Sequence, residues 1–198
     1  MNRISRRMAL MTGAAFVAHA AGPASALSDA QARALVQQVV DDINRVINSG
    51  KSERAMYTDF ERIFRRYGDV GVIAASVLGP DRRRASQAQQ RAFADAFAGY
   101  MARKYGKRFR EFIGGRIDVQ GTRNAGRYQE VQTVARLQGS SPFSVVFRVS
   151  DRSGQDRFFD IVIEGISLGK TERTEIGALL DRNRGNIDAM IADLRQRG

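Results

Sequence analysis

The side chains of this chain that could do chemistry are carboxylates, arginines and tyrosines, because the usual nucleophiles and metal ligands are scarce. The 198-residue sequence has no cysteine and no tryptophan, and its one histidine is His19. His19 falls in an N-terminal segment that reads as a removable leader, so the mature chain is expected to hold no histidine at all. A chain without His and Cys has no Ser-His-Asp or Cys-His nucleophile system and no ordinary zinc site. It has no P-loop and no Gly-rich turn after a strand to hold a dinucleotide, so no cofactor and no metal are expected. Asp160 and Glu164 share one face of a strand under period 2. They are either an acid/base pair in a cleft or surface acids paired with arginines such as Arg136 and Arg148 on adjacent strands. The second is the expectation, since antiparallel sheets commonly wet one face. The basic loop Asp81-Arg82-Arg83-Arg84 is either a headgroup contact or, as expected here, a solvated loop.

The leader is legible from its own chemistry. Arg3, Arg6 and Arg7 make a positive start, a short apolar run follows from Met8, and Ala24-Ser25-Ala26 is an A-x-A cleavage signal. Residues 1–26 are therefore expected to be a signal peptide, of secretory or twin-arginine type, and 27–198 one domain exported to the periplasm. Loss of three arginines and no acids leaves 29 bases against 21 acids, a net charge of +8. Such a balance suits anionic surfaces such as phospholipid headgroups. The charge is scattered and no recognition motif is visible, which argues against nucleic acid. An exported chain without cysteine has no disulfide, so its stability must come from its core.

Those side chains must be carried by helices first and strands after. Ser28 with Gln31 and Ser86 with Gln89 are capping boxes. They open helices over 28–49 and from 86 to about Tyr105, where Gly106 should break or kink the chain. Further helices are expected over 52–67 and 69–78. After Gly114-Gly115 the apolar period changes from 3.6 to 2, with strands expected over 116–120, 128–138, 143–150 and from Arg157. That last strand is apolar on both faces and is expected at the centre of the sheet. Helices over 171–182 and after Asn186 close the chain. No linker divides the helical and β halves, so the reading is one α+β domain. The aromatic residues, among them Phe60, Phe93, Phe97, Tyr100 and Phe147, are either a plain core or the lining of a dry cavity for an apolar ligand.

The stretch Phe158-Phe159-Asp160-Ile161-Val162-Ile163-Glu164-Gly165-Ile166-Ser167-Leu168, followed by Gly177-Ala178-Leu179-Leu180, resembles the MlaC family, the toluene-tolerance proteins. Phe93-Ala94-Asp95-Ala96-Phe97-Ala98-Gly99-Tyr100 with Tyr105-Gly106 resembles that family's long helix, and the segment from Ile187 to Leu194 its ending. Two departures stand out: no tryptophan precedes the last strand, and Lys170-Thr171-Glu172-Arg173 replaces the family's common Tyr-Arg.

The resemblance implies helices packed over a curved, mainly antiparallel sheet, as in nuclear transport factor 2, with an apolar cavity between them for phospholipid acyl chains. It implies a carrier, not an enzyme. Its partners would be an outer-membrane lipoprotein-porin complex and an inner-membrane ABC transporter with an MCE-domain protein. On this reading the cavity is lined by Val39, Ile43, Phe60, Ile73, Val77, Phe97, Tyr100, Met101 and Tyr105 from helices, and by Val131, Phe147, Phe159 and Ile161 from the sheet. The strand faces in this set assume an unbroken period of two. A carrier of another apolar ligand (fatty acid, sterol or terpenoid) and a His-free enzyme of the same fold are the alternatives.

Overall fold

The computed structural model describes residues 27–198, apart from the side chains of Phe109 and Arg110. The segment read as a signal peptide lies outside the described residues. The order is α1 (Asp29–Ile47), α2 (Glu53–Tyr67), α3 (Val70–Leu78), a 3₁₀ turn, α4 (Gln87–Gly106), a second 3₁₀ turn (Lys107–Phe112), β1 (Arg116–Asn124), β2 (Gln129–Arg136), β3 (Phe143–Ser150), β4 (Arg157–Ile163), β5 (Ile166–Ser167), α5 (Leu168–Arg182) and α6 (Ile187–Gln196). The five strands form an antiparallel meander in the order β1-β2-β3-β4-β5, and the sheet does not close into a barrel.

Both capping boxes form. Ser28 accepts from the Gln31 amide and Ser86 from the Gln89 amide, and each glutamine side chain reaches back to the cap backbone. Each pair satisfies amides that the first helical turn leaves without a partner. Helix α1 buries Val36, Val39, Val40, Ile43 and Ile47 on one stripe and lies on β1, β2 and β3. Helix α4 buries Phe93, Phe97, Ala98 and Tyr100 and packs against α2, α3 and α6. Helix α5 packs on α3 and β4. The layers are therefore a helical shell on one face of the sheet, with a single apolar core between them.

Three details differ from the sequence expectation. β4 is not central: β3 holds that place, and the two-residue β5 beyond β4 makes β4 the last full strand. Strand β1 runs on through Gly121 to Asn124, because a bulge between Val119 and Gly121 absorbs Gln120 and restores pairing. As expected, α4 ends at Gly106, where the chain passes into the 3₁₀ turn, and any Cβ there would collide with the Tyr57 ring. Helix α5 starts at Leu168 because Ser167 caps it, accepting from the Lys170 amide at 3.2 Å.

Candidate functional site

The inner face of the sheet is built in rows by the strand register. Ile117, Ala135 and Phe143 form the first row, and Val119, Thr133, Val145 and Ile163 the second. Val131, Phe147 and Ile161 form the third, and Gln129, Val149 and Phe158 the fourth. Burial is graded along these rows. The fourth is sealed, with Val149 at 0% and Phe158 at 2% exposure. Its seal is made by Phe64, whose ring lies 5.9 Å from that of Phe158, and by two ties to the backbone. The Asp69 amide donates to the Phe158 carbonyl at 2.8 Å, and Gln129 donates to the Leu27 carbonyl at 3.0 Å. The other end is half-open. Phe143, Val119 and Ile163 are partly exposed, and Phe112 stands edge-on to Phe143 at 5.9 Å. Beyond them, Ile113 and Ile166 are 50% and 64% exposed, and Ile166 pairs with Ile163 at the sheet edge. The apolar interior thus reaches the surface at this end.

The residues expected to line a cavity fall into three groups. Val39, Ile43, Phe60, Ile73, Val77, Phe97, Tyr100, Val131 and Phe147 all belong to the buried cluster. Met101, Phe159 and Ile161 are half-buried and pack against it, and Tyr105 stands outside it. The strand-face assumption fails at Phe159. A bulge between Arg148 and Val149 leaves Phe159 out of the ladder, so Phe158 sits opposite Val149 on the inner face. The Phe159 ring meets Tyr128 edge-on at 5.4 Å, and Arg148 lies over that same tyrosine.

Asp160 and Glu164 have separate structural partners. Asp160 accepts from Arg148 (3.1 Å), the Ser167 hydroxyl (2.8 Å) and the Gly169 amide (3.1 Å), which ties β4 to the first turn of α5. Glu164, at φ 48°, begins the turn with Gly165 and accepts from the Ser144 amide. Arg148 is a partner as expected, whereas Arg136 pairs with Asp118. Glu130 completes a line of alternating charge across the outer face, Arg123–Glu130–Arg148–Asp160. Burial alone would raise the Glu130 carboxyl, but hydrogen bonds from Arg123 and Arg148 outweigh it and hold it below the ordinary range. The arginine loop is a 3₁₀ turn in which Arg84 pairs with Asp81 at 2.9 Å.

One polar cluster went unforeseen. Between α4 and α5, Lys104 donates to Glu172 at 2.7 Å and to Glu175 at 2.6 Å. Tyr105 donates to the same Glu172 oxygen at 2.6 Å, and Tyr100 to Glu175 at 3.1 Å. Burial would lower the Lys104 ammonium, but its bonds to the two carboxylates raise it. Burial pushes the Tyr100 hydroxyl up to about 12; burial and the Glu172 bond raise Tyr105 as well. The Lys104 bond, against burial, holds Glu175 below its ordinary value. The sequence did hold a signal: Glu172 lies four residues before Ile176 and eight before Leu180, on the apolar stripe of α5. Beside the cluster, a cleft of about 190 Å³ lined by Tyr100, Glu175, Arg182 and Arg197 is smaller than the usual ligand pocket of about 300 Å³ or more. The inner face, apolar and partly exposed at Phe143, Val119 and Ile163, is the candidate site for an apolar ligand. Among the described residues no group of acids could hold a metal ion, and no helix is long and apolar enough to cross a membrane.

The chain is thus a small α+β domain with a helical shell over a one-sided meander, apolar between the layers and partly exposed at one end. The family profile described as "MlaC protein" matches residues 37–196, and the chain belongs to that family. Among solved structures it is similar to the phospholipid-binding protein from Ralstonia solanacearum, determined in complex with a phospholipid. The two share 20% identity at a TM-score of 0.72, over 86% of this chain and 97% of that one.

Proposed function

We propose that this protein is a periplasmic phospholipid carrier and not an enzyme. The observation that carries the proposal is the graded inner face: sealed at Phe158 and half-open at Phe143, Ile163 and Ile166, in a member of the MlaC family whose solved structural neighbour holds a phospholipid. Acyl chains prefer such a face to water by about 0.8 kcal/mol for each buried CH₂. They enter from the half-open end, meeting Phe143, Val119 and Ile163 first, while the headgroup stays outside. Phe97, Val131 and Phe147 are fully packed, so loading parts the helices from the sheet. The buried residues expected to line the cavity then exchange contacts with one another for contacts with lipid, which keeps the cost of opening low.

Release into water is unfavourable for the same reason that loading is favourable. Transfer therefore needs docked partners: an inner-membrane ABC transporter bearing an MCE-domain protein and an outer-membrane lipoprotein-porin complex. The net effect is maintenance of outer-membrane lipid asymmetry. The leader-like residues 1–26 support export. The test is to express the full chain in a bacterium, purify it gently from the periplasm, extract it with organic solvent and identify the extract by mass spectrometry. Stoichiometric phospholipid is expected. Recovery in the cytoplasm, or a periplasmic protein empty of phospholipid, would sink the proposal.

A further inference from the structure

Two basic stretches of the sequence take no part in the candidate site, and the fold brings them together. One is the 3₁₀ turn between α3 and α4, Gly79–Arg83, with Arg84 after it; the other is the outer side of α5 with the turn that follows it. The Arg173 guanidinium lies on the Gly79 backbone, so close that a Cβ there would meet it at 2.7 Å. The Arg84 guanidinium lies 3.7 Å from where a Cβ of Gly185 would stand. Gln89 donates to Asp188 at 2.9 Å, which holds the first turns of α4 and α6 side by side. The 3₁₀ turn is itself fixed, because the Gln90 side chain donates to the Arg82 carbonyl at 3.1 Å and to the Ala85 carbonyl at 3.0 Å. The result is one flank carrying Arg82, Arg83, Arg84, Lys170, Arg173 and Arg184, all exposed. Arg84 pairs with Asp81, and the other bases have no carboxylate within ion-pair distance among the described residues. The acids set among them are Asp81, Asp181 and Asp188, so the flank is positive. Lys170 and Arg173 lie three residues apart on one side of α5, which starts at the half-open end. The 15 residues of α5 span roughly 22 Å, so the flank runs from that end along the whole helix.

We propose that this flank is a docking surface for an anionic phospholipid bilayer. Guanidinium groups without carboxylate partners are matched by phosphate oxygens, which they bind through paired N–H bonds. A protein partner would need an apolar centre to its interface, and the arginines surround no exposed large apolar side chain. Val72 stands near the opposite end of α3, Ile113 before β1 and Ile166 in β5. A charged lipid surface is held by charge alone, at about fivefold in affinity for each base near it. The inference rests on the carrier reading for its purpose: docking concentrates the carrier at a leaflet, with its half-open end nearby, before a partner opens it.

The experiment sediments the purified protein with vesicles of equimolar phosphatidylglycerol and phosphatidylcholine, and with vesicles of phosphatidylcholine alone. Binding to the anionic vesicles only is expected, with release at about 1 M salt, where screening acts within about 3 Å. Arg82→Glu combined with Arg83→Glu should weaken that binding about 25-fold or more. Arg127→Glu combined with Arg152→Glu makes the same change of net charge in exposed turns at the sealed end of the sheet, and should keep most of the binding. Equal binding to the neutral vesicles, equal loss in the two double variants, or no binding to either vesicle would each overturn the inference; the last would leave an acidic protein as the partner. Bound phospholipid, extracted and measured by mass spectrometry, should be the same in both variants as in the unmodified protein, so failure of the docking surface leaves the carrier reading intact. A protein that sediments as expected but holds no phospholipid would uphold the docking surface and overturn the carrier reading.

Discussion

Phe158 and Phe159 are adjacent aromatic residues with different fates, and the difference comes from one extra residue in β4. Phe158 packs edge-on to Phe147 at 5.8 Å in the sealed row, while Phe159 is half-buried on Tyr128. Truncation should separate them. Phe158→Ala is expected to cost about 3–5 kcal/mol, as for a buried aromatic, and Phe159→Ala about 1 kcal/mol. Urea unfolding measures both; equal losses would mean that the bulge is misplaced. A strict period of two could not anticipate this, because a bulge inverts the faces beyond it and leaves no mark on hydropathy. Glu172 escaped for a related reason: an acid inside an apolar stripe is visible in sequence, but its partners Lys104 and Tyr105 lie on a helix more than sixty residues earlier.

At the scale of elements, the junction of β4 with α5 is held by polar groups and not by apolar packing. Ser167 caps α5 and donates to Asp160, which also receives the Gly169 amide and Arg148. Ser167→Ala should cost about 1 kcal/mol, the usual value of a lost helix cap. Asp160→Ala should cost more, about 3 kcal/mol, because Arg148 and two donors lose a largely buried acceptor. Thermal melts of the two variants test the order, and a larger loss for Ser167→Ala would refute it. The helix starts at Ser28 and Ser86 were legible because a capping box is local chemistry, complete within four residues. The β5 pairing was not legible, since two residues carry no period. The placement of β4 beside the edge was equally hidden, because apolarity on both faces reports cover by α5 and the bulge as readily as a central position.

For the whole molecule, pH should define a plateau of stability. Asp42, Asp59, Glu130 and Glu175 all have carboxyls lowered in the fold, from ordinary values of 3.8 for Asp and 4.5 for Glu. A depressed acid contributes stability above its unfolded pKa and loses it as pH falls through the folded one. Stability should therefore decline below about pH 4.5. On the alkaline side, Tyr100 is raised from 10.0 to about 12 and Lys104 is raised from 10.5. A raised group contributes fully below its unfolded pKa, so stability should decline again above about pH 10. Melting temperatures from pH 3 to 11 test both limbs, and a flat profile at either end would exclude the ion pairs invoked there. The fold class was legible at this scale because the change of period from helix to strand occurs once, near Gly114-Gly115. The site's polarity, sealed at one end and open at the other, was not, since it depends on which rows Phe64 and Phe112 happen to cover.

The line of alternating charge on the outer face bears on how the chain finds one pairing among several. The inner rows are mostly apolar, so a two-residue slip of β3 along β2 would still present apolar groups inward. That slip would move Arg148 away from Glu130, which is only 6% exposed, and leave its carboxylate with Arg123 alone. A lost hydrogen bond to a buried charged group costs about 1.5–3 kcal/mol, enough to disfavour the slipped sheet by a factor of about ten or more. The four charges therefore act as a vernier, grading alignments that a greasy surface would accept indiscriminately.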